Sequence, residues 1–294
     1  TRPMSLSFQV GDLAVHRVIE SEAPLFKARE FFPALTKEVL DENLPWLAPE
    51  YVEPGTEALV LCIQSYVVRM GKLTILIDSC VGNHKDRPAY PFWNAMAHDR
   101  YQRNLAAHGL SPADIDIVMC THMHVDHVGW NTKLENGRWV PTFPNAEYLF
   151  SGKELDFWTE KEKREPGKQP WIVDSVLPIV AAGRHRLVGS ADGIEDGLAL
   201  IPTPGHTIDH FSVRIGKPGA DAVVGGDMIH SPIQARYPEL AMRSDYDPAQ
   251  GGRSRRSLFE SLCDTSTLLC TGHFPGTSKG RLTRWGDGFR FSPD

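Results

Sequence analysis

The sequence predicts an α/β protein, because apolar runs of strand length are combined with segments of helical periodicity. Three runs have the length and β-branched content of buried strands, namely Leu59–Met70, Leu73–Asp78 and Ile115–Cys120. Gly71-Lys72 separates the first two runs, which favours a β-hairpin. Phe92–His108 lies between the hairpin and the third run, and its periodicity predicts a helix.

The first 58 residues have a weaker pattern. Phe8–Glu20 alternates between apolar and polar residues and predicts an early strand, whereas Glu22–Pro54 is rich in proline and indicates irregular chain with short helical pieces. We therefore expect a single domain over residues 1–294, with residues 1–58 as an irregular N-terminal extension packed on it.

The second half of the chain contains further strands and helices. Asn136-Gly137 is typical of a hairpin turn, and Asp247-Pro248 is typical of a helix start. The predicted strands are Thr132–Glu135, Arg138–Val140, Ala146–Phe150, Leu198–Ile201, Phe211–Ile215, Asp221–Val224 and Thr267–Cys270. The predicted helices are Ser151–Glu162 and a segment from Pro248 to about Cys263.

Composition and charge restrict the classes of function. The 294 residues carry a net charge of -6 at pH 7, and the only basic block is Arg253–Arg256, so no nucleic-acid partner is expected. No apolar run approaches the ~20 residues that span a bilayer, so no membrane partner is expected either. The five irregularly spaced cysteines are typical of buried free thiols in a reducing compartment. Because the first residues also lack the apolar segment of a secretory signal, we expect a cytoplasmic location.

The densest group of potential metal ligands follows the third strand. His122, His124, Asp126 and His127 lie within six residues, in the pattern H-x-H-x-D-H. Strand alternation sends the first two histidines to one side, and a turn beyond Val125 brings the other two residues to the same place. Imidazole and carboxylate groups are usual ligands of zinc and similar metals. Crowding them is costly unless they are paired or metal-bound, and the spacing favours two metals.

Three other strands also end on a potential ligand, namely His206, Asp227 and His273. If the two ions share one carboxylate, the seven donors suffice to bind two divalent ions and leave a position between them for another ligand. Zinc is the first expectation, and the same donors accept manganese, cobalt or iron. Asp78, at the end of the second strand, either supports a ligand or its loop, or caps a turn.

The motifs H-x-H-x-D-H, G-H, G-D and G-H, in this order, resemble the metallo-β-lactamase superfamily over about Leu59–His273. The resemblance implies an αββα sandwich, in which two mixed β-sheets stack between outer helices with the metals at one edge. It implies one metal site of His122, His124 and His206, a second of Asp126, His127 and His273, and Asp227 as the bridge. Zinc β-lactamases often have a cysteine at the position of Asp227, so the antibiotic-degrading branch is not expected.

Within the superfamily, the chain is similar to the N-acyl-homoserine lactonases and to methyl parathion hydrolase. Residues 226–232, GDMIHSP, resemble the second of these more than the first. The lactonases often have a tyrosine three positions after the bridging aspartate, where this chain has His230. His230 is therefore either a hydrogen-bond donor to a developing oxyanion or a residue of the cavity rim.

The ligand set and the resemblance together predict a metal-dependent hydrolase of a neutral ester-like bond, in the first place a lactone, with quorum quenching as the expected role. A metal-bridging hydroxide would attack the substrate. Asp126 and Asp227 would carry the metals and move a proton, so they are the predicted catalytic residues together with His230. One alternative is an organophosphate triester hydrolase, and another is a non-catalytic metal-binding interaction module. The expected partner is a small-molecule substrate, and a homodimer is left open.

Aromatic residues near the motif are candidates for the substrate-binding wall. Phe92, Trp93 and Trp130 are predicted to bind substrate together with His230, and Trp130 is the first choice because it follows the metal motif directly. Packing in the core is the alternative for these aromatic side chains.

Overall fold

Two β-sheets stack face to face in the computed structural model, which describes residues 6–294. The strands, in chain order, are β1 (Ser7–Val10), β2 (Leu13–Lys27), β3 (Val52–Glu53), β4 (Ala58–Met70), β5 (Leu73–Ile77), β6 (Ile117–Met119), β7 (Thr132–Glu135), β8 (Arg138–Pro141), β9 (Glu147–Ser151), β10 (His185–Val188), β11 (Gly193–Glu195), β12 (Leu198–Pro202), β13 (Phe211–Lys217), β14 (Ala220–Val224), β15 (Leu268–Cys270), β16 (Lys279–Trp285) and β17 (Gly288–Pro293). The α-helices are α1 (Ala28–Phe31), α2 (Lys37–Leu47), α3 (Arg100–Ala107), α4 (Gly152–Arg164), α5 (Pro170–Ser175), α6 (Leu177–Ala181), α7 (Ile233–Arg236) and α8 (Pro248–Leu262).

The first sheet has the order β1-β2-β4-β5-β6-β9-β10, with β3 beside β4, and the second runs from β11 to β17 in sequence order. Alternation along the strands sends their side chains into separate apolar layers. In β5, for example, Ile75 and Ile77 face the layer between the sheets, whereas Leu76 faces the layer beneath α3 to α6. A third layer lies between the second sheet and helices α1, α2, α7 and α8. The expected αββα sandwich is confirmed.

Parallel strand pairs define the edge where function is expected. β5 runs parallel to β6 in the first sheet, and β14 runs parallel to β15 in the second. Because parallel strands end at the same edge, the segments that follow these four strands lie together. Those segments contain Asp78, the H-x-H-x-D-H motif, Asp227 and His273.

Two sequence-based expectations about secondary structure are wrong. Residues 6–58 are not an irregular extension, because β2 is a 15-residue strand that pairs with β4 along its length. Register shifts at Ile19/Ser21 and Pro24/Phe26 break the alternation that would have shown it. The predicted helix over Phe92–His108 is also shorter, since α3 begins only at Arg100. Residues 1–5 of the expected domain lie outside the described residues.

The cysteines are free, as expected, and four of them are buried, whereas Cys263 is only half-buried. Expecting all five to be buried was wrong, because Cys263 follows the last residue of α8. Within residues 6–294, no helix is both long and apolar enough to cross a membrane.

Candidate metal centre

All seven predicted donors converge at the edge where β5, β6, β14 and β15 end. They form two groups, and within each group the potential ligand atoms lie within 4.8 Å of one another. The first group is His122, His124, His206 and Asp227, and the second is Asp126, His127 and His273. Each group offers the nitrogen and oxygen donors that zinc and related metals take in proteins.

Asp227 lies between the two groups and presents one carboxylate oxygen to each. Its Oδ2 is 3.2 Å from His206 Nε2 and 3.5 Å from His122 Nε2. Its Oδ1 is 2.9 Å from both His127 Nε2 and His273 Nε2. This is the arrangement of a carboxylate that two neighbouring ions share.

Three of the imidazoles have a hydrogen-bond partner at Nδ1, on the side away from the other donors, so their Nε2 atoms face the centre of the cluster. The contacts are His127 Nδ1 to Asp78 Oδ2 (2.8 Å), His206 Nδ1 to Asp245 Oδ1 (2.8 Å) and His273 Nδ1 to the Cys62 carbonyl oxygen (2.9 Å). A partner on Nδ1 fixes both the tautomer and the ring orientation of a ligating histidine.

Asp78 connects the two groups through Thr121. Its carboxylate accepts hydrogen bonds from the Thr121 backbone N–H and hydroxyl, both at 2.8 Å. Because that hydroxyl donates to Asp78, it accepts from His122 Nδ1 at 3.0 Å. His122 Nε2 is then an unprotonated, buried nitrogen without a hydrogen-bond partner, which is the state of a nitrogen poised to bind a metal. Of the two interpretations of Asp78, the geometry favours support of a ligand.

Glu154 of α4 joins two of the ligand-bearing loops. One carboxylate oxygen accepts from the Met123 backbone N–H at 3.4 Å and from Trp158 Nε1 at 2.9 Å. The other accepts from the Asp209 backbone N–H at 2.9 Å. Met123 lies between two candidate ligands and Asp209 follows a third, so this one buried carboxylate restrains both loops.

Glu20 of β2 braces the loop that follows Asp78. Its carboxylate accepts from the backbone N–H groups of Val81 (2.9 Å) and Gly82 (3.0 Å) and from Trp130 Nε1 (2.7 Å). Burial raises the pKa of Glu20 to about 7. The loop packs tightly against the motif, since a Cβ added at Gly129 would lie 1.8 Å from the Val81 carbonyl oxygen.

Two effects set the pKa values in the cluster. Burial favours the neutral form of each group, whereas contacts between imidazoles and carboxylates favour the charged forms. Burial lowers the pKa of His122 and His124 well below the ordinary histidine value, so both rings are neutral ligands near pH 7. Burial alone would raise the pKa of Asp227, but the imidazoles around it outweigh burial and hold that pKa well below its usual value. Burial likewise opposes protonation of His206, yet hydrogen bonds to Asp227 and Asp245 raise its pKa to about 9. A bound metal would displace that proton.

A cavity of about 250 Å³ opens above the cluster. Six aromatic residues line it, together with Asp126, Asp227, His230 and His273. The aromatic residues are Phe26, Phe31, Tyr90, Trp93, Trp158 and Trp171. Trp93 and His230 therefore line the cavity, and their contact with a substrate stays a prediction.

Trp130 and Phe92 do not line this cavity, which corrects the prediction for both. Trp130 is 3% exposed and stacks on Tyr101 in the layer beneath the helices, because a 3₁₀ turn at Gly129–Asn131 directs the ring inward. Phe92 is 41% exposed and packs edge-on against Trp93 outside the cavity.

A family model of the metallo-beta-lactamase superfamily matches residues 63–273, more than half of the chain. The chain belongs to the metallo-β-lactamase superfamily. Metallo-beta-lactamase domain-containing protein 1 of Xenopus laevis is 30% identical over 165 residues, which are 56% of this chain and 53% of that protein. The chain thus spans about half the length of this curated relative.

Solved structures of the superfamily extend the match to nearly the whole chain. The hydrolase AbOPH of the beta-lactamase superfamily aligns with a TM-score of 0.81 at 26% identity, covering 98% of this chain and 96% of its own. AidC, a dizinc quorum-quenching lactonase in complex with a product, aligns with a TM-score of 0.80 at 20% identity over the same shares of the two chains. The family, the fold and the metal-ligand chemistry support a metal-dependent hydrolase.

His230 occupies the position where the lactonases of this superfamily often have tyrosine. Its Nε2 lies 3.1 Å from Asp227 Oδ2, and its ring stacks on His273 with centroids 5.5 Å apart. Its buried Nδ1 has no hydrogen-bond partner within residues 6–294. Since the ring both lines the cavity and contacts Asp227, His230 is more than a rim residue.

The structure adds residues that the sequence reasoning missed. His210 accepts a hydrogen bond from the Asp227 backbone N–H at 2.9 Å and contacts Thr203 Oγ1 at 2.8 Å. Its spacing of four residues from His206 was a usable signal. No comparable signal marked Asp245 or Glu154, because only the folded chain brings them to the cluster.

Proposed function

We propose that the protein hydrolyses a neutral ester-like bond, in the first place that of a lactone, at a dinuclear metal centre. The observation that carries this proposal is the Asp227 carboxylate, which presents one oxygen to each of two donor groups. Two divalent ions, zinc in the first place, would polarise the substrate and lower the pKa of a water molecule. The likeness to a dizinc lactonase supports two ions.

The protein's own residues would position the substrate and move the proton. Asp126 lines the cavity, where its carboxylate is able to take up a proton from a water molecule or return one to the leaving oxygen. His230 presents an unpartnered Nδ1 and is placed to hydrogen-bond a substrate oxygen. The aromatic wall would exclude water and hold the apolar part of the substrate.

A second candidate is the hydrolysis of organophosphate triesters. It is favoured by residues 226–232 and by the presence of His230 where lactonases often have tyrosine. The same donors and cavity serve attack at phosphorus as well as at carbon. The third possibility, a non-catalytic binding module, receives no support, because all seven donors are present and converge.

Rates on three substrates test this proposal. Metal-replete protein would be assayed on a long-chain acyl-homoserine lactone, a simple aryl ester and a methyl phosphotriester, with Asp227→Ala as the inactive control. We expect kcat/KM for the lactone to exceed the other two by about a hundredfold or more. A phosphotriester preference would make the second candidate correct. The quorum-quenching role, the cytoplasmic location and the homodimer stay predictions.

A further inference from the structure

Two cations line the cavity without a carboxylate to neutralise them. Lys161 of α4 and Arg243, in the loop between α7 and α8, both belong to the cavity wall. Within residues 6–294, neither side chain has an ion pair or a side-chain hydrogen bond. Lys163, two positions along the same helix, pairs with Glu160 at 2.7 Å. What distinguishes Lys161 from Lys153 and Arg164, the other cations of α4 without an ion pair in the described part of the chain, is its place in the cavity wall.

Aromatic rings hold both cations at the cavity. Lys161 Nζ lies 5.3 Å from the ring centroid of Trp158, and Arg243 Cζ lies 5.2 Å from that of Phe26. Both rings line the cavity. Cation–π contacts of this kind orient a positive charge without neutralising it. Each positive charge therefore remains available to a bound molecule.

A third group in the same wall also lacks a partner. Gln169 is 5% exposed and lines the cavity, yet its Oε1 has no hydrogen-bond partner. A buried carboxamide oxygen without a partner is costly, and such groups are rare in folded proteins. Gln169 precedes α5 and is joined to the end of α4 through its backbone N–H, which donates to Glu162 at 3.2 Å. Because Oε1 is an acceptor, an N–H or O–H donor of an incoming molecule would complete its hydrogen bonding.

The acidic groups of the cavity do not serve these cations. Asp227 is surrounded by imidazoles, and Asp126 Oδ2 lies 3.5 Å from His273 Nε2. A substrate that is neutral throughout would leave both cations unpaired. A substrate with a negative charge away from the scissile bond would pair them.

We propose that the substrate carries an anionic group, a carboxylate or a phosphate, which Lys161 and Arg243 bind. This inference rests on the proposed ester hydrolysis and names its substrate class. The substrates are esters or lactones whose reacting bond is neutral and whose far end is charged. Arginine and lysine are the side chains that recognise such groups, because both present several N–H donors with a positive charge.

The first test compares esters of equal length that differ only in their end group. The probes are 4-nitrophenyl pentanoate, the 4-nitrophenyl monoester of glutarate and the 4-nitrophenyl ester of 4-phosphonobutanoate. We expect the metal-loaded enzyme to prefer a charged ester about tenfold or more in kcat/KM, and this preference to fall with added salt. The carboxylate and phosphonate arms identify which anion the wall favours.

Neutral variants locate the charge recognition. Lys161→Met and Arg243→Met keep an apolar side chain against the aromatic rings, and each should reduce the rate on the preferred charged ester about tenfold. The rate on the pentanoate ester, which carries no charge for either cation to bind, should fall less, so the ratio of the two rates is the readout. Lys153→Met, at an exposed position of α4 outside the cavity, is the matched control. A preference that both cavity variants retain would place the anion on the metals and overturn the inference.

Binding without turnover separates this inference from the proposed function. Glutaric acid monoanilide and pentananilide have amides in place of the ester, so calorimetry on the metal-loaded protein measures affinity alone. We expect the charged anilide to bind about tenfold more tightly, and to lose that advantage in both cavity variants. If no ester is turned over but this pattern holds, the proposed function is wrong and the anion site stands. Equal affinities for the two anilides would refute the anion site whatever the rates.

Discussion

The metal cluster and the cavity wall above it differ in how the protein restrains their polar groups. In the cluster, His127, His206 and His273 each have a second partner that fixes the ring. In the wall, Trp93 Nε1 and Gln169 Oε1 are buried without any partner. The cluster is thus positioned before any ligand arrives, whereas the wall leaves bonds for the substrate to complete. The groups that would carry out the reaction lie in the metal cluster, and those that would select the substrate lie in the cavity wall.

The two regions also come from different parts of the fold. The cluster is built on the ends of buried strands, where backbone hydrogen bonds of two sheets restrain it. The wall draws on helices α1, α4 and α5, on the end of β2, and on the connecting segments at residues 78–99, 165–169 and 237–247. Loops on a fixed scaffold change more readily than the scaffold does. Substitutions in the two regions should therefore have different signatures.

The largest loss of activity is expected from substitution of Asp227. Replacing it with alanine removes the carboxylate that both donor groups face, so activity should fall by about a thousandfold or more and at least one metal per chain should be lost. Metal content by elemental analysis and circular dichroism would show loss of metal with retention of the fold. Asp156→Ala, an exposed position on α4, is the control. Retained turnover with two bound metals would refute the shared-carboxylate role.

A smaller effect is expected behind the cluster, at Asp78. In Asp78→Asn the side chain has a single acceptor oxygen for His127 Nδ1 and the two Thr121 donors, so one of these contacts is lost. We expect about a 10–100-fold loss of metal affinity or activity. Competition with a chelator would measure the affinity. An unchanged affinity would show that the ring orientation does not depend on Asp78.

The smallest effect is expected in the cavity wall, where one substitution should stabilise the folded protein. Gln169→Met removes a buried polar group that has no partner, so the free energy of unfolding should rise by about 1 kcal/mol. Urea denaturation at fixed metal concentration would measure the stability. A destabilised variant would mean that the carboxamide already has a partner in the folded protein.

Local sequence was sufficient to predict the cluster. The apolar runs that became β5, β6, β14 and β15 end directly before the donors, so strand position and ligand type could be read together. The supporting residues could not be found in this way. Asp245 and Glu154 reach His206 and the Met123 backbone only through tertiary packing.

The local apolar pattern also failed to predict the full length of β2, the start of α3 and the position of Trp130. Two bulges in β2 each shift the alternation of its side chains between the two faces of the sheet. The sequence of this 15-residue strand therefore lacks a continuous alternation of apolar and polar residues. Between Phe92 and Arg100 the spacing of apolar residues imitates a helix, but Ala95 has a φ of 51° and the chain turns there. Trp130 follows the motif in sequence, yet the turn at Gly129 points it into the core.

The crowding of buried imidazoles around Asp227 ties the folded state to metal supply. Ions that bind only the folded chain stabilise it by mass action, by about 2.7 kcal/mol for one site at a free ion concentration one hundred times its Kd. The resistance of this protein to heat and proteases should therefore change with the free metal concentration around it. In a cell starved of metal, the amount of enzyme would fall together with its activity.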